Sequence, residues 1–160
     1  MSPPRPDPSA SSRARKAARG PKRAPPDARR EPARARCDEA PPPELIDGIE
    51  QFNNGAFFEQ HETLELLWRA TPSSIRGLYH GILQIGVGFH HWGRGNFHGA
   101  AVLLEEGIER LRSFAPACQT VDVAALIADA TAAREELLAL GPERMSEFDL
   151  SRAPRVRFVG

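Results

Sequence analysis

From Glu44 to Leu140 apolar positions recur with helical spacing, and turn residues cut the pattern into five pieces. Pro41–Pro43 precede a first short helix over about 44–53, and Asn54-Gly55 is a strong turn signal. A second helix spans about 56–70 and stops at Thr71-Pro72, after which Ser73 is placed to cap a third over about 74–93. Gly93-Arg94-Gly95 ends the third helix, and Asn96 can cap a fourth over about 97–114. Pro116 and Thr120-Val121-Asp122 form a connector to a fifth over about 123–140, closed by Gly141-Pro142. Strand alternation is absent except weakly over 155–159. The expectation is an all-α, compact bundle of about five helices, with short connectors that make neighbours antiparallel.

Two of these helices depart from simple amphipathicity. Between Gly77 and Gly93 the third carries no Asp, Glu, Lys or Arg and is apolar almost all round, as expected of a central helix. Ile75, Leu78, Ile82, Ile85 and Phe89 gather on one side, while His80, Gln84 and His91 fall within about 40° of one another on another. Gly77, Gly81 and Gly88 form a further stripe, which implies a close approach by a neighbouring helix or a ligand. On the second helix Phe57, His61, Leu64 and Trp68 share a face, with Glu65 inside the apolar arc, Glu62 at its border and Glu59 further out. His61 and Glu65 therefore read as an inward polar pair, which is costly to bury unless paired or coordinated.

Two readings of this constellation stay open. In the first, a pocket between the second and third helices is lined by His61, Glu65, Gln84 and His91, with Glu62 and His80 at its edge. His80, Gln84 and Glu65 would then contact a ligand. A divalent transition metal would take nitrogen from His61 and His91 and oxygen from Glu65, leaving Glu62 as general base on a metal-bound water. The run His61-Glu62-Thr63-Leu64-Glu65 is not the H-E-x-x-H motif, and the Glu-x-x-His pairs of di-metal bundles are missing. In the second reading the same residues form a hydrogen-bonded network that fixes the packing of a structural or protein-interaction module.

Composition adds an asymmetry. The formal net charge is zero, but residues 1–43 hold 11 Lys/Arg against 5 Asp/Glu, and residues 44–160 hold 10 against 16. The first segment has no Leu, Ile, Val, Phe, Trp or Tyr, so it reads as a disordered Arg/Ala/Pro-rich arm. Such an arm can meet nucleic acid by counterion release. The acidic body carries no nucleic-acid motif, which ranks that partner last. The expected division is arm 1–43, helical domain 44–142 and C-terminal tail 143–160. No membrane-spanning run and no secretory h-region occur. Cys37 and Cys118 form neither a disulfide framework nor a zinc spacing, which makes a reducing cytoplasmic setting the default. A homo-oligomer is compatible with all of this.

The residues Phe52-Asn53, Gly55, Phe58-Glu59, His61-Glu62, Leu64-Glu65, Trp68, Gly81-Ile82, Gln84, His90-His91, Arg94-Gly95-Asn96 and Gly99-Ala100 resemble the family called domain of unknown function 309, over about 50–115. That resemblance implies a small all-α domain and no assigned activity or catalytic residue. Plastid members of the family make a transit role for the arm the alternative location.

Overall fold

The computed structural model describes residues 31–160. Five helices form the body: α1 (Pro43–Asn53), α2 (Phe57–Ala70), α3 (Arg76–Gly93), α4 (Phe97–Leu111) and α5 (Val123–Arg144). They fall within a residue or two of the predicted bounds at most ends, because the turn chemistry is strong. Gly55 and Gly95 both take φ of +75°, a conformation that favours glycine, and each closes a helix-to-helix turn. Asn96 caps α4 as expected, its Oδ1 accepting from Gly99 N at 2.9 Å. Asp122 does the same for α5 through Ala125 N at 3.0 Å. Gly141, with φ of +74°, interrupts α5 where the sequence predicts its end.

Helix α3 is the centre of the packing, lying against α2 on one side and α4 on the other. Leu78, Ile82, Ile85 and Phe89 are fully buried. The glycine stripe faces α4. A Cβ on Gly81 would strike Leu111, and one on Gly88 would meet Leu104. Gly107 on α4 returns the approach, since its Cβ would lie 2.9 Å from the Gly81 carbonyl and 2.7 Å from Ile85 Cγ1. The close approach inferred from the stripe is therefore helix–helix packing.

The connector between α4 and α5 holds two short strands that the sequence pattern does not reveal, β1 (Ala117–Cys118) and β2 (Val121–Asp122), paired antiparallel. The end of the C-terminal tail joins them through a bridge between Val121 and Phe158. Upstream of it, Asn53 clasps the tail in both directions. Its Nδ2 donates to the Val156 carbonyl at 2.9 Å and its Oδ1 accepts from Val156 N at 2.7 Å. Trp92 Nε1 donates to the Met145 carbonyl at 2.8 Å, and Phe148 lies on the Trp92 ring. The tail is thus part of the folded body.

The stretch 31–42 corrects two expectations. It packs on the body, although the composition places it in the arm; residues 1–30 of that arm lie outside the described residues. Cys37 is bonded to Cys118 in a disulfide, with the two Cα atoms 4.2 Å apart, so these cysteines are paired. Arg34 donates to the carbonyls of Phe114 and Ala115, and Gln119 N donates to the Cys37 carbonyl. Glu31 accepts from Ser74 N at 2.9 Å and from Ser74 Oγ at 3.1 Å. That carboxylate, rather than Ser73, satisfies the chain entering α3, and the Ser74 amide holds its pKa below the usual range. One cross-link and bonds to backbone groups of the body hold this segment, so its lack of large apolar residues is no obstacle to order. No helix among the described residues is long and apolar enough to cross a membrane.

Candidate functional site

The buried face of α2 is centred one position earlier than the sequence pattern suggests. Phe57, Gln60 and Leu64 are buried, and Gln60 lies against Gly86 of α3. Gln60 is fully buried, its Nε2 donating to the Phe57 carbonyl at 3.3 Å while its Oε1 has no partner among the described residues. The α2–α3 seam is therefore filled by a glutamine amide lying on a glycine, and the pocket expected there is closed. Gln60 escapes sequence reading because a long polar side chain is ordinarily assigned to solvent. Gly86 is its signal, a missing Cβ at the matching level of α3.

His61 and Glu65 correspondingly move to the flank of α2, with side chains 38% and 30% exposed. His61 Nε2 lies 3.3 Å from Glu65 Oε2, and Glu65 Oε1 pairs with Arg69 at 2.8 Å. This i, i+4, i+8 ladder stays within one helix, and half-exposed pairs of this kind contribute about 0.3–0.5 kcal/mol each. Glu62 is exposed. The inward pair is thus a partly solvated one.

Three stripes form one outer face of the molecule. On α3 the half-exposed Arg76, His80, Val87 and His91 fall within about 60° of one another. Buried Gln84 borders them. On α2 Phe58, His61, Glu65 and Trp68 line one flank, and on α4 Gly99, Leu103, Glu106 and Arg110 line the other, each within about 80°. Contacts tie the stripes together. The Phe58 and His90 rings are 6.1 Å apart, and the Trp68 and His80 rings stack at 4.4 Å. Gln84 crosses to α4, donating to Glu106 Oε2 at 3.2 Å and accepting from Arg110 Nε at 3.1 Å. The His91 ring lies over Gly99, with Nδ1 3.3 Å from Asn96 Nδ2. Gly99 lacks the Cβ that would crowd that ring.

The sequence-derived site residues therefore share a face without converging on a point. His61 and Glu65 pair with each other, Gln84 reaches α4, and His91 sits at the far end beside Asn96. Among the described residues no group of three or more His, Cys, Asp or Glu side chains is placed to hold a metal ion. The His61/Glu65/His91 ligand set and the Glu62 base are not assembled. Three open clefts, of about 280, 430 and 470 Å³, follow the C-terminal tail. None of the residues proposed from sequence lines them; the third takes His90 and Arg94 instead.

The electrostatics of the face are uneven. Burial, reinforced by the charges of Arg110 and Arg76, pushes the His80 pKa down to about 4. Burial likewise lowers His91, helped by His90 and Arg94. For His80 the unfolded chain binds a proton near pH 6.5 that the folded chain refuses until about 4. Stability from this group is complete above 6.5 and is lost as pH falls toward 4. Because the ring is half exposed, solvent screening reduces the cost to about 1–2 kcal/mol. In urea titrations at pH 7 and 4.5, His80→Gln should lose less stability than the parent by that amount.

The architecture defines a small all-α domain whose uncommon polar residues line a shared outer face. Residues 45–103 match the family described as Domain of unknown function (DUF309). That stretch runs from the start of α1 to the middle of α4 and includes the α2 and α3 rows of the face. No curated protein and no solved structure matches the chain.

Proposed function

We propose that this domain is a binding module that works through its α2–α3–α4 face, with a small ligand laid across the α3 strip. One observation carries the reading: a helix buried over most of its length keeps Arg76, His80, Val87 and His91 half exposed in one line. Polar groups along a central helix ordinarily turn to partners inside the fold. Here buried Gln84 bonds to Glu106 and Arg110 and His91 to Asn96, while the His80 and His91 side chains stay half exposed. Phe58 at 54% exposure adds an apolar end, and Arg76 with Arg110 adds a cationic one. A shallow face with one apolar end, one charged end and imidazoles between them favours recognition of an amphipathic molecule over assembly of a reaction centre.

The alternative of a stabilising network draws less support, because the His61–Glu65–Arg69 ladder does not cross between helices. A thermal-shift panel of phosphorylated, carboxylated and aromatic metabolites tests the proposal. A ligand that raises the parent's melting temperature should lose most of that effect in His61→Ala/His91→Ala. A shift that survives in this variant would move the binding to another surface.

A further inference from the structure

The cationic end of the face has a composition of its own. The Arg76 guanidinium carbon sits 4.9 Å from the centroid of the Trp68 ring, which His80 also stacks against. Arg110 approaches from α4 and is oriented by its bond to Gln84 Oε1. Among the described residues neither arginine is in an ion pair; the carboxylates nearby are already engaged, Glu106 by Gln84 and Glu65 by Arg69 and His61. Arg76 Nε is buried with no acceptor among the described residues. A guanidinium nitrogen left so is unsatisfied, and two cations around one imidazole repel each other besides. An anion seated between the arginines relieves that repulsion.

Resting on the reading of this face as a binding surface, we propose that Arg76, Arg110 and His80 receive the phosphoryl group of a small phosphate monoester. Charge selects the class. Two guanidiniums match a dianion, whereas a carboxylate leaves one positive charge uncompensated. Planar guanidiniums bind phosphate oxygens through paired N–H groups. The neutral His80 ring supplies one N–H donor without a third positive charge. Trp68 fixes Arg76 and His80 from below by stacking, so little side-chain freedom is lost on binding. The rest of the ligand then runs along Val87 toward His91 and Phe58.

The test uses inorganic phosphate titrated into the full chain at pH 7, with chloride holding ionic strength constant. The readouts are Trp68 fluorescence and the His80 ring resonance. The expected result is saturation with a dissociation constant on the order of 1 mM, and at least a tenfold loss in Arg76→Gln and in Arg110→Gln. Arg76→Lys, which keeps the charge but not the fork, should fall between. Acetate should bind at least fivefold more weakly than phosphate. A response that does not saturate, equal affinity in the arginine variants, or acetate matching phosphate would each overturn the inference. If phosphate fails while a metabolite still needs His61 and His91, only the phosphoryl assignment falls. If both dependences are absent, the binding face falls with it.

Discussion

Gly107→Ala should destabilise the protein by about 2–3 kcal/mol, even though alanine favours a helix by about 1 kcal/mol over glycine. A Cβ at this position would stand 2.7 Å from Ile85 Cγ1, 2.9 Å from the Gly81 carbonyl and 3.1 Å from Ile85 N. Two of those three neighbours are backbone atoms of α3 and cannot rotate away. Helix α4 must therefore back off, and it carries the fully buried Leu104 and Leu111 with it. Interiors are packed closely enough that a displacement of a few tenths of an ångström is felt along the whole seam. Gly107→Val adds two more methyl groups at the same point and should leave little folded protein. Urea denaturation at pH 7 measures the first variant, and its circular dichroism midpoint is the number to compare. Stability equal to or above the parent would mean that α3 and α4 do not cross through Gly81 and Gly107.

Loss of the Cys37–Cys118 bond is the second large expected effect. It closes a loop with a sequence separation of 81 residues. By chain-entropy arguments a loop of that size contributes about 4.5 kcal/mol, mostly by restricting the unfolded chain. The segment it anchors has few other attachments, chiefly Arg34 on the Phe114 and Ala115 carbonyls and Glu31 on Ser74. Cys37→Ser should therefore lower the melting temperature by about 10 °C or more. It should also make the peptide bonds around residue 37 open to protease. The oxidised parent and the same protein in excess reductant should differ by a similar amount. Coincident unfolding curves for the two, with both thiols alkylated under native conditions, would mean that Cys37 and Cys118 are not cross-linked.

Most of the fold could be read along the chain, and the reasons are local. Asn54-Gly55, Thr71-Pro72, Gly93-Arg94-Gly95 and Gly141-Pro142 divide the helices by backbone chemistry that needs no partner. The all-round apolarity of 77–93 marks the central helix for the same reason. What stayed hidden depends on distant pairs. Glu31 reaches across to Ser74, Cys37 to Cys118 and Asn53 to Val156, and none of these carries a periodic signal. The candidate site lies between these cases. The stripe His80, Gln84 and His91 was visible on a helical wheel, and the structure keeps it together. Its depth was not visible, because a wheel fixes angles and says nothing of which neighbour covers an arc. Gln60 took the buried centre of α2, which shifted His61 and Glu65 from an inward pair to the rim. A buried glutamine bonded within its own turn has no pattern in sequence beyond the glycine that faces it.

On this reading His61, Glu65 and His91 belong to an open face and do little to hold the bundle together. The most direct measurement is the urea unfolding free energy of His61→Ala/Glu65→Ala/His91→Ala beside the parent at pH 7. Leu64→Ala, which empties a fully buried position, serves as the reference and should cost about 2–5 kcal/mol. The triple variant should stay within about 1 kcal/mol of the parent, as expected for surface pairs. A loss of about 3 kcal/mol or more, comparable to Leu64→Ala, would contradict this reading. These residues would then be a buried network on which the fold depends.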